Sequence, residues 1–273
     1  MLRIWSWNVN GLDVWGGLVA SGVDVVLLQE ARLPATAWER TVAPDPAAEW
    51  RTAGWNAAGW ARRTAVVDVS GAVNMTPRPL SSLDSREPGA LIVSRHGTLA
   101  AADIVVGDET ITLVSMYAAW DTAVTGHRVI YGDAAAHRLL SDLAGIVTTQ
   151  RSHRVIAAGD LNILHGYGER GDRYWAARYA SVFDRAQAMG LWFVGPQMPN
   201  GRPASPRPDE LPAGSKDVPT YYTRRQGPMG ATRQLDFVFC SEPLVHRLTV
   251  RALNADGEEW GPSDHCRIAI DLG

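Results

Sequence analysis

The chain is almost without lysine: among its 26 basic residues only Lys216 is not arginine. Nearly every cationic contact it makes is therefore made by a planar guanidinium, which suits two-point contacts to phosphate. The basic residues do not add up to a basic protein. A formal net charge of -3 argues against a sequence-independent polyanion binder that relies on bulk charge, and leaves only local patches. Cysteine is scarce as well. Cys240 and Cys266 each fall in a strand-type run, with no CxxC and no framework spacing, which excludes a disulfide scaffold and leaves free thiols in a reducing compartment as the simplest account. No apolar run nears the ~18 residues needed to span a bilayer, and no basic-then-apolar leader precedes the first strand. A soluble, cytoplasmic protein without a membrane partner is expected. Internal repeats, heptads, low-complexity tails and linkers are missing too, so residues 1–273 are expected to form a single, enzyme-sized, monomeric domain.

What is present is a succession of strands with a few helices between them. The start, "MLRIWSWNVNGL", alternates and turns at Gly11, and Asp13 is placed to cap a short helix through Trp15, Leu18 and Val19 that Gly22 ends. "VDVVLLQE", "TAVVDVSGAV", "GALIVSRHG", "ITLVSMYAAW" and "RVIAAGDLNIL" read as strands. Ala136, Leu140, Leu143 and Val147 repeat at helical spacing behind a cap at Asp133. Trp175, Tyr179, Val182, Ala186 and Met189 mark a second helix stopped by Gly190. A Pro-rich loop follows over residues 197–219, and "TYYTRR", "RQLDFVFC", "RLTVRAL" and "HCRIAIDL" complete the chain as strands. The Trp- and Gly-rich text "AEWRTAGWNAAGWARR" carries no assignable element. Helices scattered among many strands predict α/β layering with stacked sheets.

Several strands stop on side chains suited to metal or phosphate: Asn8 and Asn10, Glu30, Tyr117, Asp160 and Asn162, Asp236, and Asp264 with His265. Singly, each is an ordinary turn or surface residue. Jointly they form a coherent set for metal-assisted cleavage of phosphate esters, because active sites gather where strand ends converge. Asp160 and Asn162 are two apart, so on an extended chain they point the same way. A hard cation such as Mg2+ needs one or two carboxylates, which Glu30 and a second acidic or amide group supply. Asp160 is suited to be the base, His265, Asn162 and Tyr117 to stabilise the transition state, and Asp236 to fix the tautomer of His265 and keep it protonated.

At these residues the chain resembles the endonuclease/exonuclease/phosphatase superfamily, through "SWNVNGL", "VDVVLLQEAR", "GALIVSRHG", "LVSMYAAW", "VIAAGDLNIL", "RQLDFVFC" and "GPSDHCRI", in order along nearly the whole length. The resemblance implies an α/β/β/α four-layer sandwich, two mixed β-sheets packed face to face with helices outside, and a cleft at one rim. It also implies Glu30 as principal metal ligand for Mg2+, with Mn2+ as a substitute, and Asn8 and Asp264 nearby. Asp160 with Asn162 would handle the water, Asp236 would pair with His265, and Tyr117 would contact phosphate.

For substrate, the resemblance implies nucleic acid, DNA above all, cleaved in the manner of exonuclease III or abasic-site endonucleases. Asn10 and Arg32 are further substrate-binding candidates; "QEAR" keeps at Arg32 the charge of the "QETK" of exonuclease-III-like enzymes. Tyr221 and Tyr222 offer rings for stacking beside Arg224 and Arg225 for phosphates, while Trp120 lines the cleft or caps the core. The alternatives are a phosphatase of inositol phosphates, lipid head groups or small esters, and an inactive binding module. Whether Asp160 or His265 is the base stays open at this level.

Overall fold

The computed structural model describes residues 1–44, 63–119, 132–147 and 153–273. Their elements are β1 (Leu2–Asn8), α1 (Trp15–Ser21), β2 (Val25–Ala31), β3 (Val42–Pro44), β4 (Arg63–Asp68), β5 (Met75–Pro77), β6 (Leu80–Ser82), β7 (Leu91–Val93), β8 (Leu99–Val106) and β9 (Glu109–Tyr117). The second half holds α2 (Gly132–Val147), β10 (Val155–Asp160), α3 (Arg173–Ala188), β11 (Leu191–Gly195), β12 (Asp236–Ser241), β13 (Leu248–Leu253), α4 (Gly257–Trp260) and β14 (Arg267–Leu272).

Among the described residues the strands build two six-stranded sheets, ordered β13-β14-β1-β2-β4-β3 and β11-β12-β10-β9-β8-β5, and a small β6-β7 pair. Both sheets follow one plan. The central strand, β1 or β10, runs parallel to one neighbour, β2 or β9, and antiparallel to the other, β14 or β12. Side-chain alternation then sorts the core into layers. Ile4, Val25, Leu27, Val66, Ile268 and Ile270 of the first sheet meet Ala102, Ile104, Leu113, Ile156, Val238 and Cys240 of the second. The opposite face of the second sheet packs Val114, Met116, Phe237 and Phe239 against Leu139, Leu143, Tyr179 and Val182 of α2 and α3. That of the first packs Trp7, Val26, Leu28 and Val67 against Leu18 of α1. The expected α/β/β/α sandwich is what results, and among the described residues no helix is long and apolar enough to cross a membrane.

Local expectations fare unevenly. Gly22 does end α1 in a left-handed cap, and the Asp13 carboxylate accepts from the Trp15 amide at 3.1 Å, although Val19 is exposed. Asp133 does not cap α2. It lies inside the first turn, buried, and binds Arg178 at 2.7 Å, because a charged partner on α3 outcompetes the helix end for its carboxylate. "TYYTRR" is not a strand: only Tyr221 forms isolated bridges, to Arg233 and His265, before the chain turns. Cys240 lies in β12, whereas Cys266 lies just ahead of β14; both thiols are free and buried. β8 and β11 are strands that the alternation pattern does not mark.

Candidate active site

β1 and β10 reach the same rim and end in the same turn. At the end of β1 the Asn8 side-chain oxygen accepts from the Asn10 amide at 3.0 Å, and at the end of β10 Asp160 Oδ1 accepts from the Asn162 amide at 2.8 Å. Asn10 (φ 48) and Asn162 (φ 51) are both left-handed, a conformation that Asn tolerates better than most residues, while Val9 and Leu161 between them stay buried. The expectation that Asp160 and Asn162 emerge together by strand alternation is therefore corrected. Asn162 has left the strand and doubles back, and its Nδ2 also donates to Asp160 Oδ2 at 3.1 Å and to the Ala118 carbonyl at 3.1 Å. Just before Asp160, Gly159 lets β10 lie close against β9, since a Cβ there would collide with the Met116 carbonyl.

Glu30 reaches the cleft by a different device. In a regular strand, Val26, Leu28 and Glu30 would share the outer face with α1. Between Leu28, opposite Ala65, and Ala31, opposite Arg63, the pairing with β4 slips by one residue, and Glu30 takes a left-handed backbone (φ 49). Ala31 accordingly packs on the outer face, and Glu30 Oε1 lies 3.2 Å from Asn8 Nδ2 on the inner one. A bulge that re-aims one side chain is a common feature of sites. Of the four described non-glycine residues at positive φ, three are Asn10, Glu30 and Asn162, which concentrates the backbone strain at this rim.

The remaining groups arrive at the end of β9, at the start of β12 and on the segment before β14. Asp236 faces Asp160 across the β10–β12 pairing, and Tyr117, half-buried, faces Asp160 across the β9–β10 pairing. Ser263 Oγ donates to the Asn8 carbonyl at 2.7 Å and accepts from the His265 amide at 3.2 Å, while Trp7 Nε1 donates to the His265 carbonyl at 2.8 Å. These two fix the His265 backbone, and strand ends alone do not reveal them; the only signal for Ser263 is its place in "SDH". Asn10 Nδ2 donates to Asp264 Oδ1 at 3.2 Å.

His265 Nδ1 lies 2.9 Å from Asp236 Oδ2, and its Nε2 lies 3.8 Å from Asp160 Oδ2. All three residues are at most 5% exposed, so their charges act at low dielectric. Burial alone would depress His265, but the Asp236 and Asp160 carboxylates, with the hydrogen bond to Asp236, outweigh it and raise the imidazole to about 10. Burial raises Asp160 to about 7, Asp236 adding to the rise and His265 opposing it. Ligand atoms of Asp160, Asp236 and His265 lie within 4.8 Å of one another, close enough to hold a metal ion. A protonated imidazole cannot ligate, however, and the geometry of these three suits proton handling better. The Glu30 and Asp264 carboxylates, linked through the Asn8 and Asn10 amides, give an alternative oxygen-donor pair that fits a hard divalent cation; Asn8 itself turns its Nδ2 to Glu30 and its oxygen to the Asn10 amide.

Tyr221 stands on the imidazole, ring centroids 4.9 Å apart. Burial raises its phenol, and the Asp264, Asp160 and Glu30 carboxylates add to the rise, so it remains a proton donor. Tyr222 packs edge-on against Trp260 at 5.1 Å, over the core between the sheets. Arg224 and Arg225 are exposed on the turn that follows, and Arg32 is exposed just past β2. Trp120 lies outside the described residues.

A site at the rim between two such sheets, with this order of strand-end residues, defines a sandwich-fold phosphoesterase. The chain belongs to the Endonuclease/Exonuclease/phosphatase family, which it matches over residues 5–265. Comparison with curated protein sequences finds no match. Among solved structures it is similar to the catalytic domain of Xenopus laevis APE2 (16% identity, TM-score 0.66, covering 99% of this chain and 91% of that one). It is similar also to an AP endonuclease from Archaeoglobus fulgidus (17%, 0.62, 100% and 99%) and to the 3′ phosphatase NExo from Neisseria bound to product DNA hairpin (15%, 0.62, 100% and 100%). At these identities the likeness is one of fold.

Proposed function

We propose that the protein is a divalent-metal-dependent phosphodiesterase acting on DNA, in the manner of exonuclease III or abasic-site endonucleases, with Mg2+ as its ion and Mn2+ as a substitute. The observation that carries this reading is the Tyr221 ring on His265, which joins a proton-handling group to a segment continuing into Arg224 and Arg225. A small-ester phosphatase has no use for two exposed guanidiniums on the same turn; a polymer with successive phosphates does.

Glu30 and Asp264, with Asn8 beside Glu30, would hold the ion. When bound, it would polarise a phosphoryl oxygen and offset developing negative charge. Asp160, with a pKa drawn toward neutrality, takes a proton from the attacking water, and Asn162 and Asn8 hold its two oxygens. His265 already carries its proton at neutral pH, so it serves as a donor to the phosphate and leaves the base role to Asp160. Asp236 keeps Nδ1 engaged and so presents Nε2 to the substrate. Tyr117, paired with Asp160 across β9 and β10, would contact the phosphate. The attacking oxygen bonds to phosphorus as the ester P–O bond breaks, the leaving oxygen takes a proton from solvent water, and Asp160 returns its proton to solvent.

The similarity to DNA-processing enzymes, one of them bound to a DNA hairpin, is in line with this substrate. The test is hydrolysis of labelled abasic duplex, nicked duplex, single strands, RNA and inositol phosphates, each with Mg2+, Mn2+ or EDTA. Cleavage of a DNA substrate that EDTA abolishes is expected. Release of phosphate from small esters without cleavage of any nucleic acid would replace this reading with the phosphatase one.

A further inference from the structure

Gln29 is the one polar side chain in the otherwise apolar run "VVLLQ" of β2, and it is 0% exposed. Its Nε2 donates to Ser115 Oγ on the opposite sheet at 2.9 Å, to the Leu27 carbonyl at 3.0 Å and to Ser6 Oγ on β1 at 3.4 Å. Ser115 Oγ returns a bond to the Leu28 carbonyl at 2.7 Å. β2 is thus clamped to β9, across the gap between the sheets, at the two residues that precede the bulge. The backbone on the other side is held as well: Val9 donates to the Gln29 carbonyl at 3.0 Å and Gly11 to the Glu30 carbonyl at 2.9 Å.

One atom is out of balance. Gln29 Oε1 is buried without a hydrogen-bond partner among the described residues, a costly condition that an apolar side chain of the same length would avoid. Stability alone therefore does not account for an amide here. Its effect is on the phase of the strand. With Gln29 pinned inward, the extra residue of the bulge must be taken up at Glu30, which turns inward in the left-handed conformation while Ala31 returns to the outer face.

We infer that Gln29 is a positioning residue: its buried amide, anchored on both sheets, holds the bulge that aims the Glu30 carboxylate into the cleft. The inference rests on the reading of Glu30 as a metal-binding carboxylate only for its consequence, not for its geometry, and the two can be tested apart. Gln29→Met keeps length and burial but removes the amide.

Mn2+ titration followed by electron paramagnetic resonance should show affinity in Gln29→Met lowered ~10-fold or more, the size usual when a group that orients a ligand is removed, with the melting temperature held or raised. An unchanged affinity with a lowered melting temperature would mean that Gln29 only docks the sheets, and would overturn the inference. The second measurement needs no metal. In EDTA, urea denaturation of Asn8→Ala, Glu30→Gln and the double variant should show coupling between Asn8 and Glu30, which touch at 3.2 Å, and that coupling should vanish when the cycle is repeated on Gln29→Met. Coupling that persists there, or is absent from the parent, overturns the inference. If the parent protein binds no Mn2+, the metal reading fails, and the EDTA cycle decides on Gln29 by itself.

Discussion

Asn8 Nδ2 donates to Asp160 Oδ2 at 3.0 Å, linking the end of one sheet to the end of the other, and the same nitrogen lies 3.2 Å from Glu30 Oε1. A neutral amide thereby separates two carboxylates that belong to different sheets. Asn8→Asp would place a third acid among them, and like charge raises the pKa of a neighbouring carboxyl. The acid limb of the pH–rate profile, set by Asp160, should move to higher pH in Asn8→Asp. A limb that stays where it was would mean that Asp160 is not the group whose ionisation governs turnover.

Asp160 itself makes the metal-free protein sensitive to alkali. Its folded pKa, about 7, lies above the ~3.9 of an unfolded chain. The sign follows: the folded state favours the protonated acid, so the contribution to stability is full below pH ~4 and is lost as pH rises through about 7. In EDTA, Asp160→Asn should therefore melt with the parent near pH 4 and above it, by roughly 5 °C or more, at pH 8. A melting difference that does not vary with pH would contradict the raised pKa.

His265 and Asp236 form a unit whose two functions separate by mutation. His265→Gln should lower kcat at least ~100-fold, the lower end for a positioned proton donor. It also leaves a buried carboxylate without its cation, so the melting temperature should fall. Adding Asp236→Asn should restore the melting temperature and leave kcat low. Turnover near normal in His265→Gln would move the donor elsewhere.

Arg224 and Arg225 bear on the substrate. Replacing both with Ala should weaken DNA binding and reduce the slope of log K against log[salt] by up to about 2, close to one for each phosphate that is no longer neutralised. Hydrolysis of a small phosphodiester should change little, because these side chains lie on an exposed turn. An unaltered salt slope would remove the turn from the DNA path.

How far these features are legible in the sequence varies with how local their cause is. The layers follow from apolar periodicity, and Asp236 with His265 is expected as a pair and is one, at 2.9 Å. Asp160 and Asn162 stand out as partners for an incomplete reason: what joins them is a left-handed residue and a bond back to the preceding side chain, not the alternation of a strand. Glu30 is marked by its place after an apolar run, yet its direction depends on a one-residue slip against β4 and on the partner that Gln29 finds at Ser115, 86 residues away, which periodicity does not reveal. Asp133 has the right residue type for a cap and is claimed by Arg178, a partner 45 residues away. Tyr221 and Tyr222 look alike in "TYYTRR"; only the bridge to His265 distinguishes the one that meets the imidazole.

The shared plan of the two sheets sets a timetable for synthesis. β1 and its antiparallel neighbour β14, which pairs through Leu272 to Ile268, are made some 260 residues apart. Asp160 likewise waits for Asp236, and both wait for His265. A growing chain that already holds β2, β4, β8, β9 and β10 still lacks Asp236 and His265 at the rim. On the proposed function, hydrolytic competence therefore comes late, when the segments carrying Asp236 and His265 close on the ends of β1 and β10.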